Sequence, residues 1–302
     1  MTMRIRLTIG TLVCLMASAL SSSAQNALSF TRIDRNPGSS AMAGAGAASV
    51  SSGWYSAFGQ AARLGFQQDK VDGGVGVQLW EPDNDVDKST NLSAGAAVKL
   101  GRFSVALGGA YQMGVSGPQD SFTPSDRLLS LGAAYNIADV VSVGLNARYA
   151  AQGLTSEVSV DGYSFDFTVV GRISPALSAA VGVGNIGNKV SGSNAYFGQP
   201  AYACAGLAWV LAPASVHRCE LLLDGEYNFD GTLALTVGAE YAYNKTFYAR
   251  AGYRIAGEKA PIPSHLGVGL GLRYSFLRLE ASYLTASPIL GNTVNLGVAF
   301  TL

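Results

Sequence analysis

The chain has little charge and few of the residues that usually carry catalysis. Asp, Glu, Lys and Arg make up only 13% of its 302 residues, against about 25% in an ordinary soluble domain. It has two histidines and three cysteines, which leaves little material for a zinc site or a histidine-based triad. The 20 basic and 20 acidic residues balance, and the absence of a basic run argues against nucleic-acid binding. The sequence predicts no enzyme activity, no cofactor and no metal.

Apolar residues are plentiful, but they do not form long runs. Hydrophobic residues make up 48% of the chain, and there are 37 glycines. Beyond the amino terminus there is no uncharged apolar run of about 18 residues, which excludes membrane-spanning helices. Short apolar segments in a glycine-rich chain are typical of a transmembrane β-barrel.

The first 24 residues are predicted to be a secretory signal peptide. Arg4 and Arg6 precede a short apolar core, and the small residues 22–24 form a cleavage site. Export would permit a disulfide between Cys204 and Cys219. The strand pattern places these two on opposite faces of neighbouring strands, so we expect no bond between them.

From about residue 70 the sequence alternates apolar with small or polar residues in segments of about ten, each followed by a turn. Each of the fourteen segments has about the 9 to 11 residues that a tilted strand needs to cross a bilayer. They cover approximately 71–80, 91–100, 103–113, 128–137, 140–150, 163–173, 177–187, 201–211, 218–229, 232–241, 246–255, 265–275, 277–285 and 293–302. The predicted fold is all-β: residues 67–302 form a transmembrane antiparallel β-barrel of about fourteen strands.

One face of every segment is free of charge, as contact with lipid requires. A Lys or Arg that faces the middle of the bilayer costs ~2 to 4 kcal/mol. Connections alternate between long and short, with Asp230-Gly231 as the one tight turn where a long loop is expected. We therefore expect the chain to lie in the lipid of a Gram-negative outer membrane. Outward aromatic residues fall near both strand ends: Phe103, Tyr135, Tyr241, Phe247 and Tyr274 at one, and Tyr111, Tyr149, Tyr163, Tyr227, Tyr253 and Tyr283 at the other.

Inward-facing charges are concentrated on one wall of the predicted barrel. The opposite wall, formed by the first five segments, is mostly Gly, Ala and Ser with Asp72, Lys99 and Arg148. Because the signs on the charged wall are mixed, a ladder of Arg–carboxylate pairs is favoured over an ion-selective pore. The charged wall consists of Arg218, Glu220, Asp224, Glu226, Glu240, Arg250, Arg254, Arg273, Arg278 and Glu280.

A barrel of fourteen strands is too wide for its own side chains to fill. Residues 25–66 are the available plug. Within residues 39–47, Met42, Gly44 and Gly46 belong to a small-residue run that we expect against the uncharged wall. The aromatic side chains Trp54, Tyr55 and Phe58 would fill the remaining space. The hypothesis is that this segment closes the lumen.

Two motif-like patterns carry little weight. The G-x-G-x-x-G run at 182–187 has no following helix, so a glycine-rich strand end is favoured over a dinucleotide site. Asp83, Asp85 and Asp87 have calcium-loop spacing, but Lys88 replaces the turn glycine and no glutamate closes the site. A solvated acidic loop is favoured there.

Residues 39–66, SSAMAGAGAASVSSGWYSAFGQAARLGF, resemble the amino-terminal signature of FadL-like outer-membrane barrels, especially the PorV/PorQ group associated with type IX secretion. GVGNIGN at 182–188, VGAEYAYNKTFYARAGY at 237–253 and HLGVGLGLRYSFLRLEASY at 265–283 resemble later strands of that group. The Asn-Pro-Ala usual in the group is Gly59-Gln60-Ala61 in this chain.

This resemblance implies fourteen strands and two competing functions. The PorV/PorQ group includes a shuttle that carries secreted cargo to surface-attachment machinery, which implies an accessory or cargo-handling barrel with secretion-system components and secreted cargo as partners. The wider superfamily includes passive channels for small hydrophobic molecules, which is the alternative function. A third possibility is a structural barrel without cargo.

Overall fold

The chain folds into a closed antiparallel β-barrel of fourteen strands. The structure is a computed structural model that describes residues 27–51, 53–81, 89–114, 123–155, 158–191, 196–213, 215–285 and 292–302. The predicted signal peptide and the aspartates at 83, 85 and 87 lie outside these ranges. No described helix is long and apolar enough to cross a membrane.

Each barrel strand pairs with its sequence neighbour, and the first strand closes the barrel against the last. β8 (Val190–Ser191) and β9 (Tyr196–Phe197) form a separate hairpin, so β7 pairs with β10 in the barrel. The barrel strands are β1 Val71–Glu81, β2 Ser89–Leu100, β3 Phe103–Met113, β4 Ser125–Ile137, β5 Val141–Gly153, β6 Ser159–Arg172, β7 Leu177–Gly187, β10 Tyr202–Leu211, β11 His217–Asn228, β12 Leu233–Tyr243, β13 Phe247–Ala256, β14 His265–Tyr274, β15 Leu277–Leu284 and β16 Asn292–Thr301.

The exterior of the barrel is apolar, as a bilayer requires. Along β4, Leu128 and Ser130 are 3% and 1% exposed, whereas Leu129 and Leu131 are 54% and 50% exposed. The same alternation runs along β16, and all eleven aromatic residues expected at the two membrane interfaces are exposed. An exterior of this kind is stable in lipid rather than in water. The fourteen-strand prediction and the assignment of faces are confirmed.

Some strands are longer than the alternation predicts. β4 begins at Ser125 and β6 at Ser159, so both extend further toward the long connections. The added residues Arg127 and Asp161 are exposed. They lie in one row across β3 to β6, in the order Tyr111, Arg127, Ala151 and Asp161. The outer face is therefore charged at this rim, beyond the hydrocarbon region of the bilayer. There the free-energy cost of a charged side chain falls to roughly 0 to 1 kcal/mol.

The connections divide the barrel into a loop end and a turn end. The short connections contain residues with positive φ, such as Ala138 and Asp139 at 54° and 59°, which is the backbone that tight hairpins between twisted strands favour. The predicted tight turn after β11 is also present: Gly231 has a φ of 94° and its N–H donates to Asn228. Long and short connections alternate elsewhere, as predicted.

The two cysteines of the barrel face opposite sides. Cys204 lies opposite Glu226 and faces the lumen, whereas Cys219 lies between Leu211 and Tyr241 on the outside. Both are free thiols. Their separation follows from the register of β10 on β11.

The amino-terminal segment, residues 27–66, lies inside the barrel, and we refer to it as the plug segment. It consists of short helical turns at Ser29–Arg32, Pro37–Ser40, Trp54–Phe58 and Ala61–Phe66 joined by irregular chain. At the loop end the Ala27 N–H donates to the Gly198 carbonyl, and at the turn end Val71 is bonded to Leu302. The segment therefore passes along the lumen from one end to the other.

Candidate functional site in the lumen

Carboxylates of the barrel wall hold the backbone of the plug segment. Asp224 Oδ2 on β11 accepts the N–H groups of Gly46 at 2.7 Å and Ala47 at 2.9 Å. Asp72 Oδ1 on β1 accepts the Trp54 N–H at 2.7 Å. Because buried backbone donors need partners, these wall residues fix an irregular segment that lacks a regular hydrogen-bond ladder.

Amides and hydroxyls do the same on the opposite wall. Asn146 Oδ1 on β5 accepts the Ala61 N–H at 3.0 Å, and its Nδ2 donates to the Ala57 carbonyl at 2.7 Å. Thr168 Oγ1 on β6 accepts the Ala62 N–H at 3.1 Å. Polar inward residues that strand periodicity alone would assign to a water-filled lumen thus bind the plug segment.

Inward glycines give the plug segment its room. A Cβ at Gly144 would overlap the backbone nitrogen of Ala62, and one at Gly252 would overlap the Met42 carbonyl group. The aromatic side chains of the plug segment also pack against inward glycines. Gly95 lies against Trp54, Gly108 against Phe58, and Gly76 and Gly297 against the Tyr55 hydroxyl. Much of the glycine content of the chain therefore serves close packing in the lumen.

The predicted plug residues occupy two opposite walls. Trp54 is fully buried, stacks on Tyr55 at a centroid distance of 3.9 Å and meets Phe58 edge-on at 6.0 Å. This aromatic cluster packs on small residues of the uncharged wall, namely Ala97, Ala106 and Ala134.

The small-residue run lies elsewhere than expected. Met42 packs with Leu222 and lies against Gly238. Gly44 and Gly46 adopt positive φ in the turns that follow. The expectation that residues 39–47 lie against the uncharged wall is wrong, because glycines of the charged wall make room for this run and leave the opposite recess to the aromatic rings.

The charged wall forms a continuous row of ion pairs. The side chains are largely buried, and each guanidinium in the row contacts two carboxylates. The N–O distances are Arg218–Glu220 2.8 Å, Arg218–Glu240 3.0 Å, Arg250–Glu240 2.7 Å, Arg250–Glu280 2.9 Å, Arg278–Glu280 3.7 Å and Arg278–Asp72 3.2 Å. We call this row the ion-pair ladder; Asp72 links it to the plug segment.

Four other residues of the predicted charged wall lie outside the ladder. Glu226 pairs with Arg254 at 2.7 Å and with Arg32 of the plug segment at 2.6 Å. Arg273 lies apart at the turn end and pairs with the partly exposed Asp69 at 3.0 Å. The fourth, Asp224, binds the plug backbone as described.

A bulge between β6 and β7 adds polar groups that the sequence pattern did not reveal. The register shifts between Phe165 and Phe167, and Asn185 on β7 has a φ of 55°. Asn185 accepts from Arg148 at 2.6 Å, and Arg148 pairs with the buried Asp166. The glycine-rich run at 182–187 is thus a strand end whose alternation is broken, which is the one sequence signal for this site.

A cavity of about 460 Å³ lies between the plug segment and the wall at the loop end. An apolar cavity of about 150 Å³ is enough for a benzene molecule, so this one has room for a ring with substituents. Polar side chains share the lining with several rings. The aromatic lining residues are Phe30, Tyr55, Phe58, Trp80 and Tyr202.

A second space, of about 50 Å³, lies between the plug segment and the ion-pair ladder. It suffices for a few water molecules but not for a ring. Six residues of the plug segment, among them Tyr55 and Arg63, line both spaces and lie between them. The space that the described residues leave between the plug segment and the ion-pair ladder therefore has room for water only.

Burial perturbs the titratable groups of the plug segment. It lowers the pKa of Arg35 to about 10, to which the neighbouring charge of Arg148 contributes. Burial raises the pKa of Asp34 above its ordinary value, against the opposing effect of hydrogen bonds and of Arg63 and Arg35. Within the described ranges, no group of three His, Cys, Asp or Glu side chains is arranged to hold a metal ion.

Comparison with known proteins gives likeness in structure only. No family model matches the sequence, and no curated protein matches it. The toluene transporter TodX of Pseudomonas putida superposes with a TM-score of 0.64 at 15% identity, over 88% of this chain and 97% of that one. The toluene transporter TbuX of Ralstonia pickettii gives 0.63 at 14% identity, over 88% and 97%. A FadL homologue of Pseudomonas aeruginosa gives 0.59 at 12%, over 88% and 98%.

At these identities the likeness shows the fold, a closed barrel of the outer-membrane type. The similar structures are FadL-like barrels, as the sequence resemblance implied at its broader level. The finer resemblance to the PorV/PorQ group, and with it the link to type IX secretion, finds no counterpart among these matches.

Proposed function

We propose that this chain is an outer-membrane channel for small molecules with an apolar body, closed at rest by residues 27–66. The cavity at the loop end carries the proposal. It has room for a substituted ring, it is partly lined by aromatic side chains, and it lies on the side of the long connections. The likeness to toluene transporters supports the same ligand class.

Passage requires a change in the plug segment. Tyr55 and Arg63 stand between the cavity and the water-sized space below it. Hydrogen bonds from several separate strands hold their segment, and each bond is worth about 0.5 to 1.5 kcal/mol. A local shift of a few residues therefore costs far less than unfolding of the barrel.

The test measures uptake of toluene by cells of a Gram-negative host that produce the chain. Gln78 faces the lumen and lines the cavity, whereas the next residue, Leu79, is half-buried and lies with Val294 on the opposite face of the sheet. We expect Gln78→Trp to fill the cavity and lower the initial uptake rate to that of cells without the protein. Leu79→Trp adds the same ring to the outside and serves as the matched control.

Equal uptake by the parent and both variants, or no uptake above that of cells without the protein, would contradict the channel. Closure by the plug segment has a separate test. Deletion of residues 26–66 is expected to raise single-channel conductance in planar bilayers, and an unchanged conductance would refute the closing role.

An accessory role in secretion, as implied by the PorV/PorQ resemblance, is a second candidate. The narrow space beside the ion-pair ladder favours it, because the space that the described residues leave there is too small for a ring-sized ligand. Pull-down from native outer membranes separates the two functions. Co-purification of secretion components or secreted proteins supports the accessory role, and a bound apolar ligand without a protein partner supports the channel.

A further inference from the structure

Three buried arginines with unused donors line one side of the loop-end cavity. They are Arg32, Arg35 and Arg148. The Arg32 side chain is 7% exposed, and Arg35 and Arg148 are 5% and 4% exposed. In all three the Nε atom is buried and has no hydrogen-bond partner among the described residues. Buried donors are nearly always satisfied in folded proteins, so three at one cavity point to a missing acceptor.

Carboxylates balance this group only in part. Arg148 pairs with Asp166, while Arg32 shares Glu226 with Arg254. The Arg35 guanidinium donates to the backbone carbonyls of Ile33 at 2.9 Å and Phe30 at 3.1 Å. Among the described residues, no carboxylate lies within 4.0 Å of it. Arg63 and Arg254 also line the cavity, so five guanidiniums meet four carboxylates in this part of the lumen, those of Asp34, Asp166, Asp224 and Glu226.

Asp34 and Asp224 are each bonded through one oxygen, while Asp34 Oδ2 and Asp224 Oδ1 have no hydrogen-bond partner among the described residues. Asp34 accepts the Asn36 N–H at 3.0 Å, and Asp224 accepts the two N–H groups of the plug segment. The lowered pKa of Arg35, caused by burial and by the charge of Arg148, agrees with a local excess of positive charge. An anion at this point would offset that excess, and a small shift of the arginine side chains would let it accept from the unused donors.

Rings lie beside the same guanidiniums. The Arg32 Cζ atom is 3.6 Å from the centre of the Tyr202 ring, and the Arg35 Cζ atom is 5.5 Å from that of Phe58. A ligand that places its charge at the arginines therefore has aromatic surface against its body. The volume of about 460 Å³ has room for a ring with substituents.

We infer that the cavity binds a compact organic anion, an aromatic monocarboxylate, with its carboxylate at Arg32, Arg35 and Arg148 and its ring against Phe58 and Tyr202. This rests on the proposed channel function and narrows its ligand class. A carboxylate that accepts from several guanidiniums is held by charge-assisted hydrogen bonds, which are about twice as strong as neutral ones. A neutral hydrocarbon uses the rings but leaves the donors unsatisfied.

The test is calorimetric titration of the purified full-length barrel in detergent with sodium benzoate and, separately, with toluene. We expect benzoate to bind more tightly than toluene. Arg35→Gln removes one charged donor and is expected to weaken benzoate binding about 10- to 100-fold while changing toluene binding less than about 3-fold. Arg35→Lys keeps the charge and should retain part of the benzoate affinity. The control, Arg273→Gln, removes an arginine far from the cavity and should change neither.

The outcomes separate this inference from the channel itself. Toluene binding without tighter benzoate binding would overturn the anion site and leave the channel standing, and that comparison needs no variant. Benzoate affinity that is the same in Arg35→Gln as in the parent would also overturn it. Failure of both probes to bind would remove the proposed function along with the inference.

Discussion

Replacing Gly144 on β5 by valine should release part of the plug segment without opening the barrel. A Cβ at Gly144 would overlap the Ala62 backbone nitrogen, so residues 61 and 62 must move away. Overpacking of this kind costs about 1 to 3 kcal/mol. If the docked state loses about 2 kcal/mol, the open fraction rises about 30-fold, since 1.4 kcal/mol is a factor of ten.

Hydrogen exchange measures this opening directly. The Ala61 and Ala62 amides are held by Asn146 and Thr168, and they exchange only when the segment leaves the wall. We expect both amides to exchange about 30 times faster in Gly144→Val. Amides in the middle of β5 should exchange at the parent rate.

Gly225→Val is the matched control for this experiment. Gly225 lies on the lipid-facing side of β11, and a Cβ there meets no atom within 4 Å. Its plug amides should exchange as in the parent. Equal exchange at Ala61 and Ala62 in the two variants would refute the idea that inward glycines are required for docking.

Three further predictions concern the ladder, the exterior and pH. Arg250→Met leaves two buried glutamates without their shared partner and should lower the free energy of unfolding by about 3 to 5 kcal/mol in chemical denaturation. Arg273→Met breaks a partly exposed pair and should lower it by less than about 1 kcal/mol. Equal losses in the two variants would contradict the stabilising role of the ladder. Leu223→Arg on the outer face should lower the free energy of unfolding by about 2 to 4 kcal/mol, and Asp161→Arg at the rim by about 0 to 1 kcal/mol. Similar losses in the two variants would contradict the assignment of Leu223 to the hydrocarbon and Asp161 to the rim. Burial raises the pKa of Asp34, so ionisation of Asp34 opposes the docking of the plug segment on the wall. The docked segment therefore becomes less stable as the pH rises from the ordinary carboxyl pKa toward the raised one. Asp34→Asn should therefore slow plug hydrogen exchange at pH 7 and have no effect at a pH below the ordinary carboxyl pKa; an unchanged rate at pH 7 would contradict this.

Strand periodicity predicted the barrel because the membrane acts on every strand in the same way. Leu129 and Leu131 alternate with inward residues for one reason, contact with lipid, and the rule needs no knowledge of distant residues. Some strand ends were not predicted because the requirement for apolar outward residues ends with the hydrocarbon region. Arg127 and Asp161 lie beyond that region, so they do not follow the alternation of apolar and polar residues.

The interior was harder to predict because its contacts join distant parts of the chain. The mixed signs of residues such as Arg250 and Glu280 predicted pairing within the wall. The placement of Met42 was wrong, since it depends on which glycines of which strands leave room. Arg35 gave no signal at all, because its surroundings come from a segment that has no regular pattern.

The glycines that face the plug segment have a consequence for how this chain can change over generations. Outward positions such as Leu223 need only be apolar, so they can exchange among Leu, Val, Ile and Phe with little effect. Inward positions such as Gly144 and Gly252 accept no side chain without displacing backbone. The lumen-facing glycines, which have no side chain, should therefore be nearly invariant. The large hydrophobic residues of the outer surface should vary.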